Sequence, residues 1–204
     1  MPPKEVALPD IANLDVVDAK QMVRSAIRSR RSKMTTAEAE RYGDAFADTI
    51  LDVVGDASTV ALYVSVQQEP ATLPALVRLA QQGTRVLLPK LGPGLSRMWA
   101  WFTDTDDLRE EAPGRPPSPS GEPLGPEAIE AAEAIIVPAL AVDRFGHRVG
   151  QGGGWYDRML KQKVDSARIG ALIYPWELVS VELPHDELDV PVPRALTPDG
   201  VIEL

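Results

Sequence analysis

Cysteine is absent from all 204 residues, which excludes disulfide frameworks, thiolate-bound zinc and thiol nucleophiles together. Long apolar runs are missing as well. The longest, Ala134 to Val142, is about half the length of a bilayer-spanning helix and contains Pro138, so no transmembrane helix is expected. The start, Met1 to Leu14, lacks a basic stretch followed by an apolar block, which argues against a secretory signal and for a cytoplasmic protein. Positive charge is in deficit: 21 Lys and Arg stand against 30 Asp and Glu, a net charge of −9. Such a surface repels a nucleic-acid backbone. The expected partners are therefore small molecules, with no nucleic acid and no membrane, and the expected assembly is a monomer or weak homo-oligomer.

What is present is enough apolar material, 44% of the chain, for a sizeable core. The expected organisation is a flexible N-terminal extension over residues 1–14 and a single domain over 15–204. From Asp18 to about Met34, Met22, Val23, Ala26 and Ile27 recur at helical spacing, while Lys20, Arg24, Arg28 and Arg31 form a basic stripe. Thr35 with Glu38 three residues on is a capping box, opening a helix that Gly55 ends. Thr59–Ser65 predicts a strand, Leu73–Gln82 a helix and Arg85–Pro89 a strand, the pattern of a βαβ unit. Arg97–Phe102 predicts a further strand, and six prolines between Ala112 and Pro126 predict a surface loop. A short helix near Pro126–Ala132, a buried strand at Ala134–Pro138, a helix at Trp155–Lys163 and a parallel strand at Ile169–Tyr174 complete the pattern. Such alternation implies an α/β fold, an open, largely parallel Rossmann-like sheet with helices on both faces and ligands at the carboxyl ends of the strands.

The densest chemical signal runs from Asp143 to Arg158. Gly150, Gly152, Gly153 and Gly154 strip side chains from a loop between strand and helix, so backbone N–H groups there can converge on an anion. No Gly-Lys-Ser/Thr follows, and Trp155 occupies the last glycine position of the dinucleotide pattern. A tight turn remains an alternative. Arg148 suits a phosphate, and Asp157 suits either a magnesium ion or the first turn of a helix. The basic stripe reads as a solvated face in which Lys20 and Arg24 can grip phosphate oxygens. Glu69 is an ordinary surface glutamate or an acceptor for an amino-bearing ring. Asp186, Glu187 and Asp189 supply a second magnesium ligand or are merely solvated. His147 and His185 have no spacing that suggests a metal pair or a triad.

These residues resemble a known family. Lys20-x-x-x-Arg24, Ser65-x-x-x-Glu69, Val137 to Asp143 running into Gly146-x-Arg148-x-Gly150-x-Gly152-x-Gly154-Trp-Tyr156-Asp157-Arg158, then Leu183-Pro184 and Asp189, are similar in order and content to 5-formyltetrahydrofolate cyclo-ligases. The resemblance implies a fold of the NagB/RpiA/CoA-transferase-like kind. It implies cyclisation of 5-formyltetrahydrofolate to 5,10-methenyltetrahydrofolate with ATP and Mg2+, releasing ADP and phosphate. In that family the γ-phosphoryl group is understood to pass to the formyl oxygen before N10 attacks. By the resemblance, Lys20, Arg24, Arg148, Gly150, Gln151, Gly152, Gly153, Gly154, Trp155 and Tyr156 bind ATP. Val64, Glu69 and Gln151 to Trp155 contact the folate, Asp157 and Asp189 hold the metal, and Arg148, Gly152 and Tyr156 are the catalytic positions. Gln151 stands where arginine is common, Trp155 where tyrosine is, Leu188 where His-Asp begins, and Pro193 replaces a later aspartate. Two alternatives stay open: a folate- or nucleotide-binding relative without turnover, and another α/β enzyme acting on a phosphorylated metabolite.

Overall fold

In a computed structural model that describes residues 5–92, 96–111 and 116–204, local signals in the sequence set most element boundaries. Helix α1 (Val16–Arg31) starts where the Asp15 carboxylate accepts the Asp18 N–H at 2.9 Å, and ends with Arg28, Arg30 and Arg31 against its negative pole. Helix α2 (Thr36–Val54) opens with both bonds of the capping box, Glu38 N–H to Thr35 Oγ1 at 3.2 Å and Thr35 N–H to Glu38 Oε2 at 2.9 Å. It stops at Gly55, whose φ of 55° is in the left-handed region. The segment expected as an N-terminal extension is anchored within its described part: Val6 is buried and donates its N–H to Trp176 O at 3.0 Å.

Strand β1 (Thr59–Ala61) leads through helix α3 (Leu73–Gln81) to strands β2 (Arg85–Leu91) and β3 (Arg97–Phe102). Strands β4 (Leu108–Arg109) and β5 (Ser118–Pro119) pair with each other. Strands β6 (Ala134–Pro138), β7 (Ala141–Asp143) and β8 (Arg148–Val149) then precede the short helix α4 (Trp155–Leu160). Strands β9 (Arg168–Leu172), β10 (Leu178–Val179), β11 (Arg194–Thr197) and β12 (Gly200–Glu203) complete the chain. Among the described residues the main sheet has seven strands in the order β12-β11-β9-β6-β1-β2-β3. The inner pairs β2/β1, β1/β6, β6/β9 and β9/β11 are parallel, and β3 and β12 close the two edges antiparallel. A small sheet, β10-β7-β8, lies beyond the strand ends.

Both faces of the main sheet are buried, which is why its strands read as continuous apolar runs. Val60, Val86, Leu88 and Ile136 point to one face, where they pack with Val23 and Ile27 of α1, Phe46 and Ile50 of α2 and Leu76 of α3. Ala61, Leu87, Ile135 and Val137 point to the other, with Ile129 and with Met159 and Leu160 of α4. Helices thus cover both sides. A Cβ at Gly170 of β9 would lie 2.1 Å from Leu196 Cδ1 on β11, so a larger residue there would force that buried side chain to shift.

Several elements differ from the expectation. Strand β1 ends at Ala61, not Ser65, because the buried Thr72 hydroxyl takes over the backbone: it donates to Tyr63 O at 2.7 Å and accepts from Ser65 N–H at 2.9 Å. The helix expected to reach Lys163 stops at Leu160, and the segment Pro126–Ala131 is a 3-10 helix. In the proline-rich stretch, 112–115 lies outside the described residues. Further on, Leu124 exchanges backbone hydrogen bonds with Trp99 and Pro119 O accepts from the buried Lys90 ammonium at 2.6 Å, so part of that loop packs against the sheet edge.

The basic stripe of α1 is only partly solvated: Arg28 is exposed and Arg24 half-buried, but Lys20 and Arg31 are buried. Arg31 is 4% exposed and forms a bidentate pair with the fully buried Glu177, at 2.6 and 2.8 Å, while its second nitrogen also donates to Ala139 O at 2.8 Å. Burial opposes the guanidinium charge, and Glu177 outweighs it, holding Arg31 above its ordinary range. Glu177 Oε2 also accepts the Tyr174 N–H at 2.9 Å, so one ion pair ties α1 to the carboxyl ends of β6 and β9.

Glu177→Ala, which strands a buried guanidinium, is expected to cost about 3–5 kcal/mol in urea unfolding, whereas replacing both partners, Arg31→Met with Glu177→Leu, costs far less. Gly146→Ala is expected to cost more than about 2 kcal/mol in the same measurement. Its φ is 85°, and a Cβ would lie 2.4 Å from Val192 O.

Candidate active site

Counting only the parallel strands in chain order, the sheet runs 2-1-3-4-5, so the strand order reverses between β1 and β6. At such a switch point the loops leave in opposite directions and open a crevice beyond the strand ends. The loop after β1 carries Glu69, and the chain after β6 returns through β7 and β8 into the glycine loop. A cleft of about 470 Å³ lies there, walled by Lys20 and Arg24 of α1, Arg148, residues 150–158 and Asp189. A shallow depression of about 560 Å³ near Trp101 is lined instead by Asp104, Asp106, Asp107 and Glu122 against Arg109 alone, a charge that repels phosphate.

Within the glycine loop, Gly152 has φ 102° and Gly154 φ 57°, conformations that disfavour any side chain. A Cβ on Gly152 would also come within 3.3 Å of the Arg24 guanidinium carbon. The carbonyls of the loop are taken by arginines. Gly150 O accepts from Arg24 Nε at 2.9 Å, Gln151 O from Arg28 at 3.4 Å, and Gly153 O from both Arg158 at 2.8 Å and Arg97 at 3.0 Å. With the carbonyls so held, the N–H groups of residues 151–154 have no acceptor among the described residues. They remain available as donors beside a cluster of cations. Helix α4 spans six residues, so its dipole adds little here and the side chains supply the positive potential.

The expected cofactor residues meet in this cleft, but several are already paired. Lys20 Nζ contacts Asp186 at 2.8 Å and Asp189 at 2.5 Å. Burial works against its charge, and the two carboxylates overcome that and keep the ammonium above its ordinary range. Burial, then the charge of Arg28, lowers Arg24. Arg148 is 6% exposed; it binds Asp157 Oδ1 at 2.6 Å, and its Nε has no partner among the described residues. Asp157 Oδ1 also accepts the Val190 N–H at 3.2 Å. The second oxygens, Asp157 Oδ2 and Asp189 Oδ1, carry no hydrogen bond from the described residues. Magnesium binds through one or two carboxylates plus substrate phosphates, so two such oxygens on one cleft wall fit it.

Of the expected folate residues, Gln151 to Trp155 line this same cleft, Glu69 adjoins it through Gln151, and Val64 does not line it. Glu69 Oε1 accepts from Gln151 Nε2 at 3.0 Å, and Gln151 Oε1 accepts from Arg28 at 2.7 Å. Gln151 therefore bridges α1 to the loop after β1. Val64 is 9% exposed and packs in the core. Trp155 leans on Trp99, ring centroids 4.8 Å apart, and meets Tyr156 edge-on at 4.7 Å. Burial and then the Glu69 charge push the Tyr156 hydroxyl well above its ordinary range, and the same causes act on Tyr63. Tyr63 is a residue the sequence did not single out. Its hydroxyl is buried without a partner among the described residues. A tyrosine at a strand end reads as core, and only the fold brings it within the field of Glu69. Likewise His147 and His185, unremarkable by spacing, stack in space.

The cleft thus presents amide donors, guanidinium groups and carboxylate oxygens, and among the described residues no nucleophile paired with a base. A polyphosphate with a hard cation suits one end, and an amino-bearing ring suits Glu69. The family model for the 5-formyltetrahydrofolate cyclo-ligase family matches residues 16–198. A 5-formyltetrahydrofolate cyclo-ligase of Mycolicibacterium smegmatis is 33% identical over 192 residues, covering 91% of this chain and 97% of that protein. That of Escherichia coli K12 is 30% identical over 185 residues, covering 87% and 99%. The NMR structure of Aquifex aeolicus 5,10-methenyltetrahydrofolate synthetase matches with a TM-score of 0.76 at 26% identity, over 91% of this chain and 92% of that one. A structure from Mycoplasma pneumoniae, at 18% identity and a TM-score of 0.63, shares the fold. On the span of these matches, from α1 to β11, the chain belongs to the 5-formyltetrahydrofolate cyclo-ligase family.

Proposed function

We propose that the protein closes 5-formyltetrahydrofolate to 5,10-methenyltetrahydrofolate in the cytoplasm, consuming Mg-ATP and releasing ADP and phosphate. The observation that carries this is the junction at Gln151, where the amide-lined cation cleft meets Glu69 at the switch point of the sheet. Mg-ATP, when bound, supplies an electrophilic phosphoryl group that turns the formyl oxygen into a leaving group. The ring closure then needs no protein nucleophile, since N10 of the substrate attacks the formyl carbon and phosphate departs. Positioning and charge neutralisation are what remains for the chain to provide.

Arg24 and Arg28 hold the loop carbonyls, which leaves the amides of residues 151–154 to bind phosphate oxygens. Lys20 would hold phosphate oxygens of the nucleotide in place of Asp186 and Asp189, and Asp157 and Asp189 would hold the metal. Arg148 orients Asp157 through their 2.6 Å contact and adds charge against the phosphates. Glu69 accepts hydrogen bonds from the pterin amino group, with Val64 behind it. Trp155 offers a flat surface, and Tyr156, kept neutral by its surroundings, serves as a hydroxyl donor. The catalytic positions are Arg148, Gly152 and Tyr156.

The direct test is the near-ultraviolet absorbance of the methenyl product on mixing protein, 5-formyltetrahydrofolate and Mg-ATP. Growth of that band only when ATP is present is expected; ligand binding without ADP release would instead mark a relative without turnover. Arg24→Ala is expected to raise the KM for ATP about tenfold or more, the loss of one charge-assisted contact, with little change in the KM for folate. Glu69→Gln is expected to do the reverse. Gln151→Arg adds a cation beside Arg28 and is expected to lower the KM for ATP severalfold in the same steady-state assay.

A further inference from the structure

Outside the cleft, the β7–β8 turn meets the segment that follows β10, and each brings a histidine. The rings of His147 and His185 lie face to face, centroids 3.6 Å apart and planes within 8°. Both are held through Nδ1. Asp143, fully buried, accepts the Phe145 and His147 N–H groups on Oδ1 at 2.8 and 3.0 Å. Its Oδ2 accepts the Leu183 N–H at 2.8 Å and faces His147 Nδ1 at 3.0 Å. A carboxylate in that position takes a hydrogen from the ring, which assigns the proton to Nδ1 and the lone pair to Nε2. His185 Nδ1 lies 3.0 Å from Leu183 O. A carbonyl can only accept, so the lone pair of His185 is again on Nε2.

An imidazole fixed through Nδ1 by a carboxylate or carbonyl, with Nε2 free, is the arrangement that orients a histidine as a metal ligand. A third donor stands beside the pair. Glu182 Oε1 is 3.8 Å from His185 Nδ1, and ligand atoms of His147, Glu182 and His185 lie within 4.8 Å of one another. It is the one such group of three among the described residues. Turn formation accounts for the backbone bonds to Asp143, but it requires neither ring to be fixed nor a carboxylate to face them. The side chains of His185 and Glu182 are 40% and 60% exposed, which leaves a path for an ion and room for water.

We propose that His147, His185 and Glu182 bind one divalent transition-metal cation of the zinc type, through two imidazole nitrogens and a carboxylate oxygen. Two nitrogens and one oxygen favour zinc, nickel or copper over magnesium, so this site is chemically distinct from the all-oxygen pair Asp157 and Asp189. One ion cannot lie in both ring planes while the rings are stacked. Uptake therefore leaves His147 fixed by Asp143 and turns the more exposed His185 ring out of the stack and off Leu183 O, on the side where Glu182 stands. Because His147 adjoins Arg148 and His185 adjoins Asp186, the partner of Lys20, a bound ion fastens together two segments that carry cleft residues.

The test is calorimetric titration of chelator-treated, full-length protein with ZnCl2 in excess MgCl2, without folate or nucleotide, so that its outcome is independent of the cyclo-ligase reading. One equivalent of Zn2+ is expected to bind the wild type. His185→Ala and Glu182→Gln, both at exposed side chains, are each expected to weaken that binding at least about tenfold. Co2+ in place of Zn2+ is expected to show the visible bands of a four- or five-coordinate site, absent in His185→Ala. No Zn2+ uptake by the wild type, or equal stoichiometry and affinity in wild type and both variants, would overturn the proposal.

Discussion

The buried contact between Arg31 and Glu177 decides where α1 lies relative to the strand ends. A charged pair taken out of water tolerates little displacement, because each oxygen and nitrogen must keep its partner or be left desolvated. Arg31 meets Glu177 through two bonds and Ala139 O through a third, while Glu177 also caps Tyr174. With the last turn of α1 fixed, the residues one, two and three turns earlier fall along the rim of the crevice. Arg28 meets Gln151, Arg24 meets Gly150 O, and Lys20 meets Asp186 and Asp189. What looks in sequence like one basic stripe is a row of four separate clamps.

Those clamps show how a chain of net charge −9 gathers positive charge along one cleft. The arginines grip carbonyl oxygens, which leaves the loop's amides unpaired with guanidinium charge close by. The glycines make this possible, since φ values of 102° and 57° at Gly152 and Gly154 are strained for other residues. The acidic partners play the opposite part. Asp186, drawn below its ordinary range first by its hydrogen bond from Lys20, and Asp189 together hold the ammonium.

Much of the fold was legible because its determinants are local. The capping box at Thr35 and Glu38, the apolar run Ala134–Pro138 and the spacing of α1 each depend on residues within one or two turns, and the elements form there, although α1 starts at Val16 and ends at Arg31 rather than running from Asp18 to Met34. The small sheet β10-β7-β8 was not legible, for strands of two or three residues are too short to show a period. The early end of β1 was hidden too, since it depends on the Thr72 hydroxyl reaching back to Tyr63 O across nine residues. Of the site, the glycine loop, Lys20, Arg24, Glu69, Asp157 and Asp189 could be named from motif order, and they line one crevice or its immediate edge.

By itself the sequence determined most element types, the place of the glycine loop between strand and helix, and the family, because helix caps, alternation and glycine spacing act over short distances. Only the tertiary structure decided the partners. That Lys20 faces carboxylates 166 and 169 residues away, that Arg31 is buried rather than solvated, and that two histidines without a common motif stack at 3.6 Å all follow from strand order. Strand order is a property of how whole strands pack on two helical layers, and no local window of the chain carries that information.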